Sequence, residues 1–238
     1  MLPIGIRGKS KYRPIMTYAL VAINALVFLW ELSVNAQGPS ALQATLSSLA
    51  LNVCAVGVEP LPNLFLDSLR SLFLHGSLGH LLGNMLFLLV FGGRVEEYFG
   101  AWRFLLAYLL FGMIGNLAHV LFGGVVCRFP QQSSIIIGAS GAIAGVMGSF
   151  LFLYPGARVD ALIGIFRPFF WRARVPAFFF LLYWFLMDVL QGIGWIFSVG
   201  VAHWAHIGGF VVGFLVAFFA GMFYKPAPAV DPLEHLDD

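Results

Sequence analysis

Six stretches of this chain are each close to the roughly 20 apolar residues needed to cross about 30 Å of hydrocarbon as a helix. They cover residues 15–33, 78–95, 102–122, 138–155, 176–196 and 203–224. No soluble fold hides six such stretches at once. The charge content agrees, because 60% of the 238 residues are hydrophobic and only 10% are charged. A soluble domain carries about 25% charged residues to cover its surface. Soluble, disordered, collagen-like, coiled-coil and disulfide-stapled classes are excluded together. The formal net charge is only +2, and the densest basic cluster is the loose set Arg7, Lys9, Lys11, Arg13. That is no footprint for nucleic acid. The expected fold is an all-α polytopic membrane bundle of six spanning helices.

Three parts follow: an N-terminal segment 1–14, a bundle 15–224 and a polar tail 225–238. Within the bundle, residues 34–74 are interrupted by Gly38, Pro39, Gly57, Pro60 and Pro62 and carry Glu59, Asp67 and Arg70. The segment is too long for a turn and too broken to span, so it reads as a large loop with short helices lying in one interface. The tail after Lys225 holds Pro226, Pro228 and Pro232 and reads as loosely ordered. With the N-terminus inside, eleven of the 13 Lys and Arg residues fall on the inner side, leaving only Arg70 and Arg128 outside. The positive-inside bias then puts both termini in the cytoplasm. Val34-Asn35-Ala36 after a basic start has the look of a signal-peptide cleavage site. The apolar stretch before it exceeds a usual signal core, so an uncleaved first helix is expected.

Polar groups at membrane depth are costly and are the natural functional candidates. His75, His80 and Asn84 mark the outer start of the second run and His119 the outer end of the third. Ser140 opens the fourth, Asp188 lies toward the outer end of the fifth, and His203 and His206 open the sixth. All belong to the outer half, which suggests one polar cavity open to the outside. Ser140 sits in a small-residue turn, Gly138-Ala139-Ser140-Gly141, at a helix start, where free backbone N–H groups can hold an oxyanion. A serine hydroxyl needs a base, and His206 is the best placed imidazole. Gly141 and Gly145 form a Gly-x-x-x-Gly step on the fourth run; Gly209 and Gly213 form another on the face of His206. Two such faces let backbones meet and bring Ser140 and His206 to one level. His80 and Asn84, spaced i and i+4, offer uncharged donors from one helix face.

Each feature has a plainer reading. Serine in a membrane helix commonly bonds its own i−4 carbonyl, and Gly-x-x-x-Gly commonly serves packing alone. His119 and His203 read as interfacial or structurally bonded, and Asp188 as a paired structural residue in preference to one that helps gate the cavity. No His-Glu-x-x-His and no cysteine pair at ligand spacing is present, so neither a metal nor another cofactor is expected. Cys54 and Cys127 both lie on the outer side. A bridge between them needs Cα atoms within about 7 Å, which nothing in the sequence supplies, so two free thiols are expected.

The chain resembles the rhomboid intramembrane serine proteases from the first run to the sixth. The matching segments are His75-Gly-Ser-Leu-Gly-His80-Leu-Leu-Gly-Asn84, Gly93-Arg-Val-Glu96-Glu-Tyr-Phe-Gly100, Gly138-Ala-Ser140-Gly-Ala-Ile-Ala-Gly145, and Ala205-His206-Ile-Gly-Gly209 followed by Gly213. The resemblance implies a six-helix bundle of the bacterial type whose 34–74 segment is the first outer loop, lying partly within the outer leaflet. That type belongs to the bacterial inner (plasma) membrane. The resemblance further implies a serine endopeptidase with Ser140 as nucleophile, His206 as general base and no acidic third member. His80, Asn84 and the Ser140 amide would form the oxyanion hole, with Gly138 contributing through its turn. Substrates would be single-span or polytopic membrane proteins within the lipid bilayer, cut near the outer end of a helix.

Two positions depart from the family pattern. Ala144 stands where an aromatic often stacks on the imidazole, and Leu66-Asp67 stands near the place of a usual Trp-Arg pair. They leave open what supports His206 and what anchors the loop, yet neither removes a reacting group. Two other functions remain: an inactive relative that binds membrane substrates, and, more distantly, a small transporter. Inactive relatives typically lose the serine or histidine, and transporters commonly show inverted repeats and Pro-broken helices that are not seen here.

Overall fold

A computed structural model describes residues 1–6, 12–127, 134–164, 171–196 and 200–223. The long apolar runs become helices because their backbone polar groups can only be satisfied within the segment itself. The N-terminal strand β1 (Leu2–Ile6) precedes α1 (Ile15–Asn35). The 34–74 region folds into two short helices, α2 (Pro39–Leu49) and α3 (Leu61–Ser71), separated by β2 (Leu51–Asn52) and a short 3₁₀ turn at Val53–Ala55. Then come α4 (Leu78–Phe99), α5 (Ala101–Phe122), β3 (Ile135–Ile136) and α6 (Ser140–Leu153). Strands β4 (Arg158–Ile163) and β5 (Trp171–Pro176) lead into α7 (Ala177–Gly192) and α8 (His203–Phe223).

Four helices, α1, α4, α5 and α8, are long and apolar enough to cross a membrane. The other two apolar runs give shorter helices than expected, with 14 residues in α6 and 16 in α7. At about 1.5 Å per residue, α6 is only about 21 Å long. Its start is set by the turn at Gly138, and Tyr154-Pro155-Gly156 ends it. The tail beyond 223, with Lys225, lies outside the described residues, as do Arg7, Lys9, Lys11, Arg128 and Arg167.

Glycine sets how closely the helices approach. A Cβ on Gly209 would lie 2.0 Å from the Gly141 carbonyl oxygen, and one on Gly213 would lie 1.9 Å from that of Gly145. The two Gly-x-x-x-Gly steps therefore meet step for step, backbone on backbone. Ser149 Oγ closes the contact by donating to the Gly213 carbonyl (2.8 Å). On its other side α8 meets α5, where a Cβ on Gly115 would lie 2.5 Å from the Ala205 carbonyl. The first turn of α1 is capped from outside its own segment. Glu96 of α4, fully buried, accepts from the Met16 and Thr17 amides (3.0 and 2.7 Å) and from Thr17 Oγ1 (2.8 Å). A carboxylate at a helix N-terminus satisfies free donors and complements the dipole.

Two small sheets complete the fold. Strand β4 lies between β1 and β5, both antiparallel to it. The described parts of the connection between the fourth and fifth apolar runs therefore belong to a sheet, whose third strand comes from the far end of the chain. Strand β2 pairs with β3, Leu51 opposite Ile136 and Asn52 opposite Ile135. Beside it, Cys54 and Cys127 form a disulfide with Cα atoms 5.5 Å apart. This corrects the expectation of two free thiols. The geometry that sequence cannot supply comes from β2–β3 pairing and from α3, which fold the large loop over the end of α5. Anchors for that loop also come from Asn116 of α5, which donates to Ser68 Oγ and O (3.1 and 3.2 Å). The Leu51 amide donates to Ser71 Oγ (2.7 Å).

Candidate active site

Ser140 is the first residue of α6, delivered by the β3 strand and the turn at Gly138. That turn has φ +118°, a backbone region that favours glycine. A Cβ there would also strike His80 Cε1 at 2.6 Å, so the missing side chain lets the His80 ring lie on the turn. The Gly138 N–H donates to the Ser71 carbonyl (2.8 Å), which ties the turn to α3. Gly138 thus brings the bend and not a free donor. The first intrahelical bond here runs from Ile143 N–H to the Ala139 carbonyl (3.0 Å), so the amides of Ser140, Gly141 and Ala142 lie ahead of the helical ladder.

His206 sits one turn into α8, one turn before Gly209. Its Nε2 is 2.7 Å from Ser140 Oγ. Its Nδ1 lies 3.1 and 3.3 Å from the two carboxylate oxygens of Asp188 on α7. A carboxylate only accepts, so the Nδ1 proton points at Asp188 and the Nε2 lone pair faces the serine hydroxyl. The resemblance implies no acidic third member; here a carboxylate stands on the Nδ1 side of the His206 ring. Asp188 is also hydrogen-bonded to His203 Nδ1. The expectation of a paired carboxylate holds, and one of its two partners is His206. Trp184, one turn before Asp188, lies over the His206 ring with centroids 5.7 Å apart. It takes up the support that an aromatic at position 144 would give, and Ala144 is fully buried.

The opposite wall comes from α4 and the loop before it. The Asn84 amide lies 3.0 Å from His75 Nε2, and His75 Nδ1 lies 3.3 Å from the Phe73 carbonyl. Burial pushes the His75 imidazole down to about 4, so it is neutral near pH 7. A carbonyl only accepts, which puts the ring proton on Nδ1 and leaves Nε2 to receive an Asn84 N–H. One N–H of Asn84 is thereby fixed and the other is free to face the cavity. His80 packs edge-on against His75 with centroids 5.1 Å apart, and its own amide donates to Ser77 Oγ at the helix cap.

One cavity of about 530 Å³ has Ser140, His206, His80, Asn84, Asn116 and Trp184 on its walls. His119 and His203 are not on its walls; His203 stands behind Asp188. The ligating atoms of Asp188, His203 and His206 lie within 4.8 Å of one another, close enough in principle for a metal ion. Hydrogen bonds among the three already account for their approach. Three residues of the site are not singled out by the sequence analysis. Glu31, buried on α1, accepts the His75 amide (2.9 Å); Asn116 anchors α3; Trp184 covers the imidazole. Glu31 and Asn116 are polar residues inside apolar runs and were open to the same reasoning as Asp188. Trp184 carries no such mark, since an aromatic in an apolar run is ordinary.

Helices long and apolar enough to cross a membrane define a multi-pass integral membrane protein, with Ser140 and His206 together on the wall of a cavity. The Rhomboid domain profile matches residues 63–223, and the chain belongs to the rhomboid family. It is similar to RHOMBOID-like protein 4 of Arabidopsis thaliana, 36% identical over 61% of this chain and 32% of that protein. RHOMBOID-like protein 6, mitochondrial, of the same plant is 30% identical over 63% of this chain and 42% of its own length. Rhomboid protease GluP of Bacillus subtilis is 29% identical over 88% of this chain and 36% of its own. The chain thus spans less than half the length of each of these relatives. They come from a plant and a bacterium, so they do not narrow the membrane to the bacterial inner membrane expected from sequence.

Proposed function

We propose that this chain is an intramembrane serine endopeptidase that cuts membrane proteins near the outer end of a transmembrane helix. The observation that carries the reading is the 2.7 Å contact between Ser140 Oγ and His206 Nε2 at the cavity wall. In this reading α6 and α7 complete a bundle of six membrane-embedded helices over residues 15–224, and the helices of the 34–74 loop lie in the outer interface. Both termini are on the positively charged, inner side. The shortness of α6 supports a reaction centre below the outer surface, reached by water through the cavity.

His206 Nε2 takes the proton of Ser140 Oγ as the oxygen attacks the scissile carbonyl carbon. The carbonyl π electrons move to oxygen, and the oxyanion is held by the Ser140 amide, the free Asn84 N–H and His80. Collapse breaks the C–N bond, and the leaving amine takes the proton from His206. Water then repeats the sequence on the acyl-enzyme and returns Ser140. A helical peptide bond is shielded by its own hydrogen bonds, so substrates carry Gly, Pro or other helix-weakening residues near the cut.

A fluorophosphonate probe on the purified chain tests the reading. Wild-type protein is expected to be labelled at Ser140, and Ser140→Ala and His206→Ala are expected to lose labelling while remaining folded. Undiminished labelling of Ser140→Ala, or none of wild type, would refute it; an inactive binding relative or a transporter gives the second result. Products from a single-span substrate should map to the outer half of its helix.

A further inference from the structure

We propose that Asp188 is a positioning residue for His206, itself held by His203, so that the site is a relay of four side chains: His203, Asp188, His206 and Ser140. The proposal rests on the reading of Ser140 and His206 as nucleophile and base. It goes beyond that reading by giving the base an acidic partner.

The geometry points to it in three ways. Asp188 is 6% exposed, and a carboxylate is costly away from water unless hydrogen bonds satisfy it. Two imidazoles do so: His203 Nδ1 bonds one oxygen, and His206 Nδ1 reaches both. A structural pairing would need His203 alone. The carboxylate also reaches the ring nitrogen opposite the one facing Ser140, where it sets the tautomer. Finally, α7 supports the ring from two places, since Trp184 lies over it and Asp188 grips its edge one turn later. The end of α7 is tied to α8 by Trp204 Nε1, which donates to the Gly192 carbonyl (3.0 Å). With Ala144 on α6 offering no ring, α7 is the element that orients the base.

The chemical consequence is definite. When Ser140 Oγ gives its proton to His206 Nε2, the imidazolium is stabilised by the Asp188 charge. Asp188 accepts the Nδ1–H bond throughout and does not itself take the proton. The other ionisable groups facing His206 are His80 on α4, His119 on α5 and His203 on α8, all imidazoles. Asp188 is the carboxylate among them.

The test is the rate at which a fluorophosphonate labels Ser140, measured against pH on the full chain. Asp188→Asn should slow labelling on the order of 10²–10⁴-fold, because the amide no longer enforces the tautomer. The midpoint of its pH–rate profile should fall by at least about one pH unit, since the imidazolium has lost its counter-charge. Asp188→Glu should recover part of the rate, and His203→Gln should cost less than Asp188→Asn. A purely structural role would lower the melting temperature and leave the midpoint unmoved. Wild-type rate and midpoint in folded Asp188→Asn overturn the relay. If Asp188→Asn does not fold, Asp188→Ser decides, because it too removes the carboxylate, and a wild-type rate and midpoint there overturn the relay equally. A silent Ser140→Ala beside a fully active Asp188→Asn removes the relay alone. Labelling that ignores Ser140→Ala removes the protease reading and the relay together.

Discussion

Replacing Gly209 with alanine should separate Ser140 from His206 by adding one methyl group. The new Cβ would lie 2.0 Å from the Gly141 carbonyl oxygen and 3.0 Å from its carbonyl carbon. Both atoms are backbone and cannot rotate away. An ordinary carbon–oxygen contact needs more than 3 Å, so α8 must withdraw from α6 by about 1 Å. Gly141 is next to Ser140, and Gly209 is one turn after His206, so the displacement acts on the contact between Ser140 and His206. The 2.7 Å contact becomes about 3.7 Å, beyond hydrogen-bond length. A misplacement of about 1 Å costs on the order of 10²-fold in rate. Alanine also favours a helix over glycine by about 1 kcal/mol, so any loss of stability must come from the contact. Gly221→Ala on the same helix is the control, because its Cβ would meet side-chain atoms, the edge of the Phe152 ring at 3.1 Å and the Tyr98 hydroxyl at 3.9 Å, and no backbone of another helix. Fluorophosphonate labelling and thermal melting of the two variants give the answer. Labelling and melting of Gly209→Ala at wild-type values would show that α6 and α8 are not in backbone contact, and the reasoning would fall.

On the proposed function, Asn84→Ala or His80→Ala removes one oxyanion donor and should slow cleavage of a single-span substrate by about 10²–10³-fold without abolishing it, because the Ser140 amide remains. Complete loss in folded protein would contradict that role. Thiol labelling of denatured, non-reduced protein should find neither Cys54 nor Cys127 free. Cys54→Ser should lower stability by about 2–5 kcal/mol, read from the shift in melting. The buried His75 gives a pH dependence of known sign. Its imidazole is held near 4 when folded, against 6.5 when exposed, so the unfolded chain binds a proton first as pH falls. Stability from this group is complete above about pH 6.5 and drains away toward pH 4. His75→Gln should flatten that part of the melting-temperature profile, and an unchanged slope would show that another group titrates.

The membrane class and the main helices were legible from sequence because they depend on local properties. The length of an apolar run sets whether a helix can span, and α1, α4, α5 and α8 follow their runs closely. Small residues four apart mark a face where backbones meet, and that face carries His206 on one helix and begins at Ser140 on the other. Those local signals suffice to place two side chains, 66 residues apart in sequence, beside each other.

The rest was decided by which segments become neighbours. Asp188 looks like any buried carboxylate until α7 packs on α8 and its oxygens meet Nδ1 of His206. Trp184 is one aromatic among many until its ring lies on that imidazole. Cys54 and Cys127 carry no pairing information until β2 and β3 align and their Cα atoms come within 5.5 Å. Strand β4 needs β1 from the chain's first residues, with Leu2 opposite Leu162. Sequence determined the helices and which faces could touch, because hydrophobic length and residue size act along a single segment. The carboxylate beside the imidazole, the ring over it and the bridge in the loop arise only where separate segments meet, so only the tertiary structure decided them.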